Sequence, residues 1–449
     1  VATQRTTQST ATAEPDSDDT GAKEALAIRW VFPQPPMEPT WLVESRTTFG
    51  RDDGCSVVLD SDYVSRKHAV IARSAKLYIA SDLSSKNGIA VNGRVVRETP
   101  LSPGDVVRFG PFVGVCMRVP LGADLSSRTL APGIIGGWKL AGAFERLLEL
   151  APSDLSVVLV GETGTGKERF ARALHEASAR RGPFRAVNCS VYSKTMAAAE
   201  LFGYRKGAFT GAETASPGHI RAAEGGSLLL DELTELAPDV QAMLLRALEN
   251  REILPLGEAR PVPIDVRFLS ATQTSLESAV QADRLRADLR ARLEGGVVTL
   301  PPLRECREVA VEMFLALFEA HAGRRPELRT ASAERLCLHD WPLNIRELDT
   351  VVRRLAVRRG ARAITRDEID EALGSPSRES QIAPSGVPEP SKDARNRKNE
   401  VYPAADVEAL ISALARHNGN LTKAAAERGL PRTKAYRMLR AAKQAKSQS

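Results

Sequence analysis

Ser156-Val157-Val158-Leu159-Val160 runs directly into Gly161-Glu162-Thr163-Gly164-Thr165-Gly166-Lys167, and the reading of this stretch decides the fold. A short apolar run with no polar alternation suits a strand covered on both faces of a sheet. The glycine-rich turn after it lets backbone N–H groups curl around phosphate oxygens. A helix opening at its end adds partial positive charge, and Lys167 adds a full one. Further along, Leu228-Leu229-Leu230 carries Asp231 and Glu232 to the same expected sheet edge, one carboxylate for Mg²⁺ and the other to polarise an attacking water. Apolar runs at Ser156 to Val160, Ser227 to Leu230 and Val266 to Ala271 alternate with helical stretches at Lys167 to Arg180 and Pro238 to Arg251. This alternation predicts an α/β domain over 134–304, with the helical residues 305–374 as a small lid.

The rest of the chain is punctuated differently. The 449 residues suit roughly three domains at about 150 residues each. Residues 1–25 are Thr-, Ser- and Asp-rich with few large apolar groups, which predicts a disordered tail. Over 26–122, short β-like runs such as Ala69 to Ala72 and Val106 to Phe109 alternate with Asp-Gly, Asn-Gly and Pro-Gly turns, which predicts an all-β sandwich. Residues 375–403 have a linker's composition, and 404–446 form a compact helical piece. The cysteines (Cys55, Cys116, Cys189, Cys306, Cys337) and the histidines show no ligand spacing, which argues against a disulfide framework or a transition-metal site. No apolar run approaches the ~18 residues of a membrane helix and no signal peptide opens the sequence, so a cytoplasmic protein is expected. The net charge of +6, from 62 basic and 56 acidic residues, is matched by residues 404–449 alone. A basic end on a neutral body points to nucleic acid at that end.

Between the two nucleotide motifs lies Gly207-Ala208-Phe209-Thr210-Gly211-Ala212, preceded by Glu200-Leu201-Phe202-Gly203. An aromatic ring among small residues is badly suited to a core and well suited to a loop tip that presses on a partner. This string resembles the signature loop of the bacterial enhancer-binding proteins, AAA+ ATPases that activate sigma-54 RNA polymerase. The resemblance continues over about 134–360 and implies ATP and Mg²⁺ as ligands. Gly161, Glu162, Thr163, Gly164, Thr165, Gly166, Lys167 and Glu168 stand as its phosphate loop, with Glu168 where generic phosphate loops carry Ser or Thr. Asp231 stands as the metal carboxylate and Glu232 as its catalytic partner. It further implies Asn188 as a switch restraining Glu232, Thr272 as a first sensor followed by Gln273 in place of Asn, and Arg346 as a second sensor. Arg286 and Arg292 match a pair that completes the neighbouring subunit's site, hence a ring, usually a hexamer. Leu285 and Leu343 depart from the family's Phe and Gly.

In the β domain, Gly50-Arg51, Ser65-Arg66-Lys67-His68 and Ser84-Ser85-Lys86-Asn87-Gly88 resemble a forkhead-associated (FHA) domain. The residue types suit a phosphate: Arg51, Arg66 and Lys86 supply charge, Ser65 a hydroxyl, and Asn87 a bond to peptide backbone, with His68 fixing the loop from below. The resemblance implies phosphothreonine recognition, in a partner protein or in the chain's own tail at Thr3, Thr6, Thr7, Thr10, Thr12 or Thr20. At the other end, Gly419 to Leu439 resembles a Fis-type helix-turn-helix, which places Arg432, Thr433, Lys434 and Arg437 against the bases or phosphates of upstream DNA. The combined expectation is a sigma-54-dependent transcription activator. Its alternatives are a phosphopeptide-responsive DNA-binding regulator with weak or no ATPase, and an AAA+ remodeller with another target.

Overall fold

A computed structural model of the chain describes residues 24–34, 36–74, 77–193, 196–357, 363–374, 404–417, 421–430, 434–435 and 438–439. The tail before residue 24, the stretch 375–403, and Arg432, Thr433 and Arg437 lie outside the described residues.

The first unit is a β-sandwich of β1 (Glu24–Phe32), β2 (Thr40–Trp41), β3 (Arg46–Gly50), β4 (Val57–Val58), β5 (Ala69–Ser74), β6 (Leu77–Asp82), β7 (Ile89–Val91), β8 (Arg94–Val96), β9 (Glu98–Leu101), β10 (Val106–Phe109) and β11 (Phe112–Pro120). One sheet runs β2-β1-β11-β10-β7-β8 and the other β4-β3-β5-β6-β9. Sequence patterning finds β5 and β10 but misses β1, which buries every residue from Leu26 to Val31. The reason is physical. Leu26, Ile28 and Trp30 enter the sandwich core, while Arg29 and Val31 are covered from outside by helices, so no polar face breaks the run.

A hairpin, β12 (Arg128–Ala131) and β13 (Ile134–Gly136), leads into α1 (Trp138–Glu149) and an open sheet. That sheet holds β14 (Val157–Val160), β15 (Phe184–Asn188), β16 (Ser227–Asp231), β19 (Arg267–Thr272) and β20 (Gly296–Thr299), all parallel, in the order β15-β16-β19-β14-β20. Around it lie α2 (Lys167–Ala177), α3 (Ala197–Phe202), α4 (Gly218–Arg221), α5 (Pro238–Asn250), α6 (Leu276–Gln281) and α7 (Ala287–Leu293), and the short β17 (Glu252–Ile253) pairs with β18 (Val262–Pro263). Registers Val160↔Thr272 and Asp231↔Ala271 bring the ends of β14, β16 and β19 to one edge, where open parallel sheets place their ligands. Buried Arg267 secures the opposite end by donating to the carbonyls of Leu150, Ala151 and Leu155 at 2.8, 3.1 and 3.0 Å, where α1 ends.

The lid comprises α8 (Ala310–Ala322), α9 (Thr330–Leu338), α10 (Asn344–Ala356) and α11 (Arg366–Ala372). Helices α12 (Ala404–Arg416) and α13 (Leu421–Glu427) close the chain around Val407, Leu410, Ala413, Ala425 and Met438, and Ala425 is buried as a close helix crossing requires. Among the described residues, no helix is long and apolar enough to cross a membrane, and none of the five cysteines forms a disulfide.

Glu308, just before α8, is fully buried and its carboxyl is pushed up to about 7 by loss of solvent, which outweighs Lys139 and Arg29. The folded chain therefore holds this proton between about pH 4.5 and 7 while the unfolded chain releases it, so stability falls as pH rises through that window. Glu308→Gln is expected to stabilise the chain by about 1–3 kcal/mol at pH 8 and hardly at pH 4. Thermal unfolding at the two pH values checks this, and an equal shift at both would contradict it.

Candidate functional site

The polar cleft at the sheet edge, about 640 Å³, is lined by Thr163, Gly164, Gly166, Lys167, Glu168, Asn188, Asp231, Glu232, Gln273 and Arg346, among others. Seven of the residues singled out from the sequence as nucleotide-loop or catalytic groups thus meet there with Asn188 and Arg346. Lys167 opens α2 and is buried, its ammonium donating to the carbonyls of Gly161 and Glu162 at 2.7 and 3.3 Å. Burial lowers its pKa, against the opposing pull of Asp231 and Glu232. Burial also raises Asp231, whose carboxylate a cation would hold ionised. One carboxylate at the floor of a phosphate loop is the donor set that Mg²⁺ accepts, since it keeps waters and phosphate oxygens as its other ligands. A side chain at Gly164, with φ of +80°, would place its Cβ 2.1 Å from the Leu343 carbonyl, so only glycine lets the loop close on the lid.

Other expected groups are engaged within the chain. Glu162 turns away from the cleft into a double ion pair with Arg304 and accepts from Asn344 at 3.2 Å; Arg304 holds its carboxyl below the usual range. Thr165 donates to the Glu162 carbonyl at 2.8 Å, and buried Thr272 donates to that of Thr274 at 2.9 Å. Asn188 does not reach Glu232: its amide oxygen accepts from the Ser190 backbone and hydroxyl at 2.9 and 2.7 Å. The group on Glu232 is Gln273, whose amide donates to the carboxylate at 2.9 Å. The extra methylene relative to Asn supplies that reach. Glu232 itself adopts a left-handed backbone, φ +52°, which aims its side chain off the strand end.

Beside the cleft is an apolar pocket of about 220 Å³ lined by Ile134, Ile135, Leu140, Met313 and Leu317, with Arg169 at its junction with the polar cleft. Sequence reasoning missed all of these, because they come from the hairpin, α1, α2 and α8 and carry no motif. An apolar slot next to a phosphate loop fits a nucleobase.

Arg286 and Arg292 do not line their own chain's cleft. Arg286 pairs with Asp288 at 2.7 Å and Arg292 with Glu249 at 3.1 Å, all at least partly exposed. The hexapeptide 207–212 is a closed turn, with Gly207 N–H donating to the Ala212 carbonyl at 2.8 Å and Ala212 N–H to that of Phe209 at 3.0 Å. Thr210 and Phe209 are exposed, Phe209 at 39%, and the Phe209 ring lies edge-on to Tyr204 with 5.0 Å between centroids.

At one end of the β-sandwich, Arg51, Arg66, Lys86 and Asn87 are exposed around half-buried Ser65. Gly50 permits this, since a Cβ there would lie 2.1 Å from the Arg66 carbonyl. Ser65 Oγ accepts from Lys86 N–H at 3.0 Å, Asn87 donates to the Tyr63 carbonyl at 2.8 Å, and Arg51 pairs with Asp62 at 2.9 Å. Buried His68 accepts the Ser65 backbone N–H at Nδ1, so Nε2 carries the proton and donates to the Gly88 carbonyl; burial lowers its pKa and keeps it neutral. Of the DNA candidates, Lys434 is exposed and the others lie outside the described residues.

Residues 136–299 match the family model of the sigma-54 interaction domain, 47–110 that of the FHA domain, and 308–384 that of an AAA+ ATPase lid domain. The transcriptional regulatory protein ZraR of Salmonella typhimurium is 36% identical over 323 residues, 69% of each chain. The chain belongs to the sigma-54-dependent transcriptional regulators. ZraR of Klebsiella oxytoca is 39% identical over 63% of this chain, and the sigma54-dependent transcriptional activator SfnR of Pseudomonas putida is 44% identical over 46% of it. This regulator spans 62% and 58% of the length of those two proteins. NtrX from Brucella abortus, solved in complex with ADP, superposes with a TM-score of 0.50 at 27% identity, over 68% of this chain and 69% of that one. The central unit of this regulator is thus of the AAA+ ATPase family, with an FHA domain before it.

Arg51→Ala is expected to weaken binding of a degenerate phosphothreonine peptide pool about 30-fold or more, because a charge-assisted phosphate contact is lost. Fluorescence anisotropy measures this; equal binding of an unphosphorylated pool would contradict the assignment.

Proposed function

We propose that this regulator hydrolyses ATP to remodel the closed complex of sigma-54 RNA polymerase, under control of phosphothreonine recognition by its FHA domain and tethered to upstream DNA by its C-terminal helices. The observation that carries the reading is the meeting of Lys167, Asp231, Glu232, Gln273 and Arg346 on one cleft beside an apolar slot. In this reading the slot takes adenine, and the N–H groups of Gly164 and Gly166 with Lys167 hold the β- and γ-phosphates. Asp231 would hold Mg²⁺, which when bound neutralises phosphate charge. Glu232 orients the attacking water, held meanwhile by Gln273, while Thr272 and Asn188 act through the backbone around them.

Arg286 and Arg292, exposed and away from their own cleft, suit a neighbour's site, which supports a ring, usually of six. Their guanidinium groups would stabilise charge on the transferring phosphoryl group. The turn 207–212 then carries Phe209 and Thr210 to sigma-54. Arg51, Ser65, Arg66, Lys86 and Asn87 would hold the phosphothreonine of a partner or of the tail, and Arg432, Thr433, Lys434 and Arg437 would contact DNA. All of these partners place the protein in the cytoplasm.

Two substitutions separate motor from output. Lys167→Ala is expected to lower steady-state ATP hydrolysis by about 100-fold or more through loss of transition-state charge stabilisation. Thr210→Ala is expected to leave hydrolysis within about twofold while abolishing open-complex formation, because it removes a contact made only to the partner. A reconstituted assay with sigma-54 polymerase reads both. Full activation by Thr210→Ala would contradict the loop's role, and undiminished hydrolysis by Lys167→Ala would favour another nucleotide site.

A further inference from the structure

The outer face of the FHA sandwich is not free. Val31, Val106, Val113 and Val115, on β1, β10 and β11, share one continuous apolar core with Val309, Phe314, Leu336 and Trp341 of the lid. On β10 the alternation is complete: Val107 and Phe109 point into the sandwich, while Val106 and Arg108 face the lid. Arg108 donates to the Glu334 carboxylate of α9 at 3.0 Å, and Glu334 is nearly fully buried. The same sandwich reaches the other half of the ATPase, where Ala27, Met117, Val119 and Leu125 pack with Trp138 at the start of α1. The nucleobase pocket lies between these two contacts, one wall coming from the hairpin and α1 (Ile134, Leu140) and the other from α8 (Met313, Leu317). The FHA domain therefore bridges the two walls and fixes their separation.

Both ends of this bridge lead to a site. Toward the phosphopeptide end, Phe109 packs against His68, 6.3 Å between centroids, and His68 holds Ser65. The turn after β10 lies so close to Tyr63 and Val64 that a Cβ at Gly110 would meet them at 3.2 and 2.9 Å. Toward the nucleotide, Arg307 donates to the Cys337 carbonyl at the end of α9 at 2.8 Å, to Asp340 at 2.7 Å and to the Arg304 carbonyl at 3.2 Å. Arg304 holds Glu162 of the phosphate loop.

The interface is also imperfect. Arg29 Nε, Glu308 Oε1 and Glu334 Oε1 are buried there without a hydrogen-bond partner among the described residues. Orphaned polar atoms penalise the docked state, which marks a contact able to separate rather than a permanent core.

We propose that the FHA domain is a detachable brace across the lid and the α/β body, and that phosphopeptide binding releases it through β10 and the Arg108–Glu334 pair, linking phosphopeptide and nucleotide affinities. The inference rests on the phosphothreonine and nucleotide sites proposed above. Linkage is reciprocal, so each ligand shifts the other's Kd by the same factor.

The test measures the Kd of fluorescent ADP on the full chain with and without a saturating degenerate phosphothreonine peptide pool, and the Kd of the pool with and without ADP. Wild type is expected to show a reciprocal change of about fivefold or more. Arg108→Ala, at a side chain 28% exposed, is expected to give the peptide-bound nucleotide Kd without peptide and no further response to it. The reversed pair Arg108→Glu with Glu334→Arg is expected to restore part of the linkage, which guards against a mere loss of folding. Binding of both ligands by wild type with independent Kd values would overturn the brace, as would full linkage in Arg108→Ala. Failure of wild type to bind the pool or ADP would overturn the underlying site assignment and the brace with it.

Discussion

The nucleotide site depends on one buried amide, that of Asn344. Its oxygen accepts the Leu303 backbone N–H at 2.7 Å, and its nitrogen donates to Glu162 at 3.2 Å and to the Thr163 carbonyl at 3.0 Å. These bonds join the phosphate loop, the segment leaving the sheet and the first turn of α10. Ile345 N–H adds a bond to the Gly164 carbonyl at 3.0 Å. Asn344 tolerates a left-handed backbone, φ +53°, which few other side chains do. Within the loop, Lys167 and Thr165 bond its carbonyls; the lid adds the bonds that hold it from outside. Any force on the lid is then a force on the loop, each buried bond carrying about 1–3 kcal/mol if left unmade.

The same few contacts thus join the polar cleft to the lid on which the FHA domain packs. Burial pushes Lys167 and Asp231 in opposite directions, both away from their charged forms, and the two sit close enough to oppose that effect in each other. Phosphate and a cation at this edge would satisfy both. The FHA domain touches the lid and α1, the two elements on either side of the apolar pocket, and so is placed where a small change in docking changes the pocket.

The sequence was informative where chemistry demands particular residues in a short span. The strand, glycine turn and lysine at 156–167 and the carboxylates at 231–232 fall at the sheet edge their patterns indicate, and 207–212 lies in the loop between α3 and α4. It was uninformative where function is assembled from distant, chemically ordinary residues. Ile134 and Leu317 become pocket walls only after folding, and β1 hides its alternation because both of its faces are covered. The contact from Gln273 to Glu232, with Asn188 occupied at Ser190, depends on side-chain reach, which a resemblance in sequence does not specify.

The proposed function requires that the nucleotide's state govern the turn that holds Phe209 against Tyr204. Hydrogen exchange of residues 205–213 in the full chain, with ADP alone and with ADP and aluminium fluoride, tests it most directly. Exchange in this turn is expected to rise with the transition-state analogue in wild type and to stay unchanged in Lys167→Ala. Identical exchange with both ligands in wild type would contradict the account.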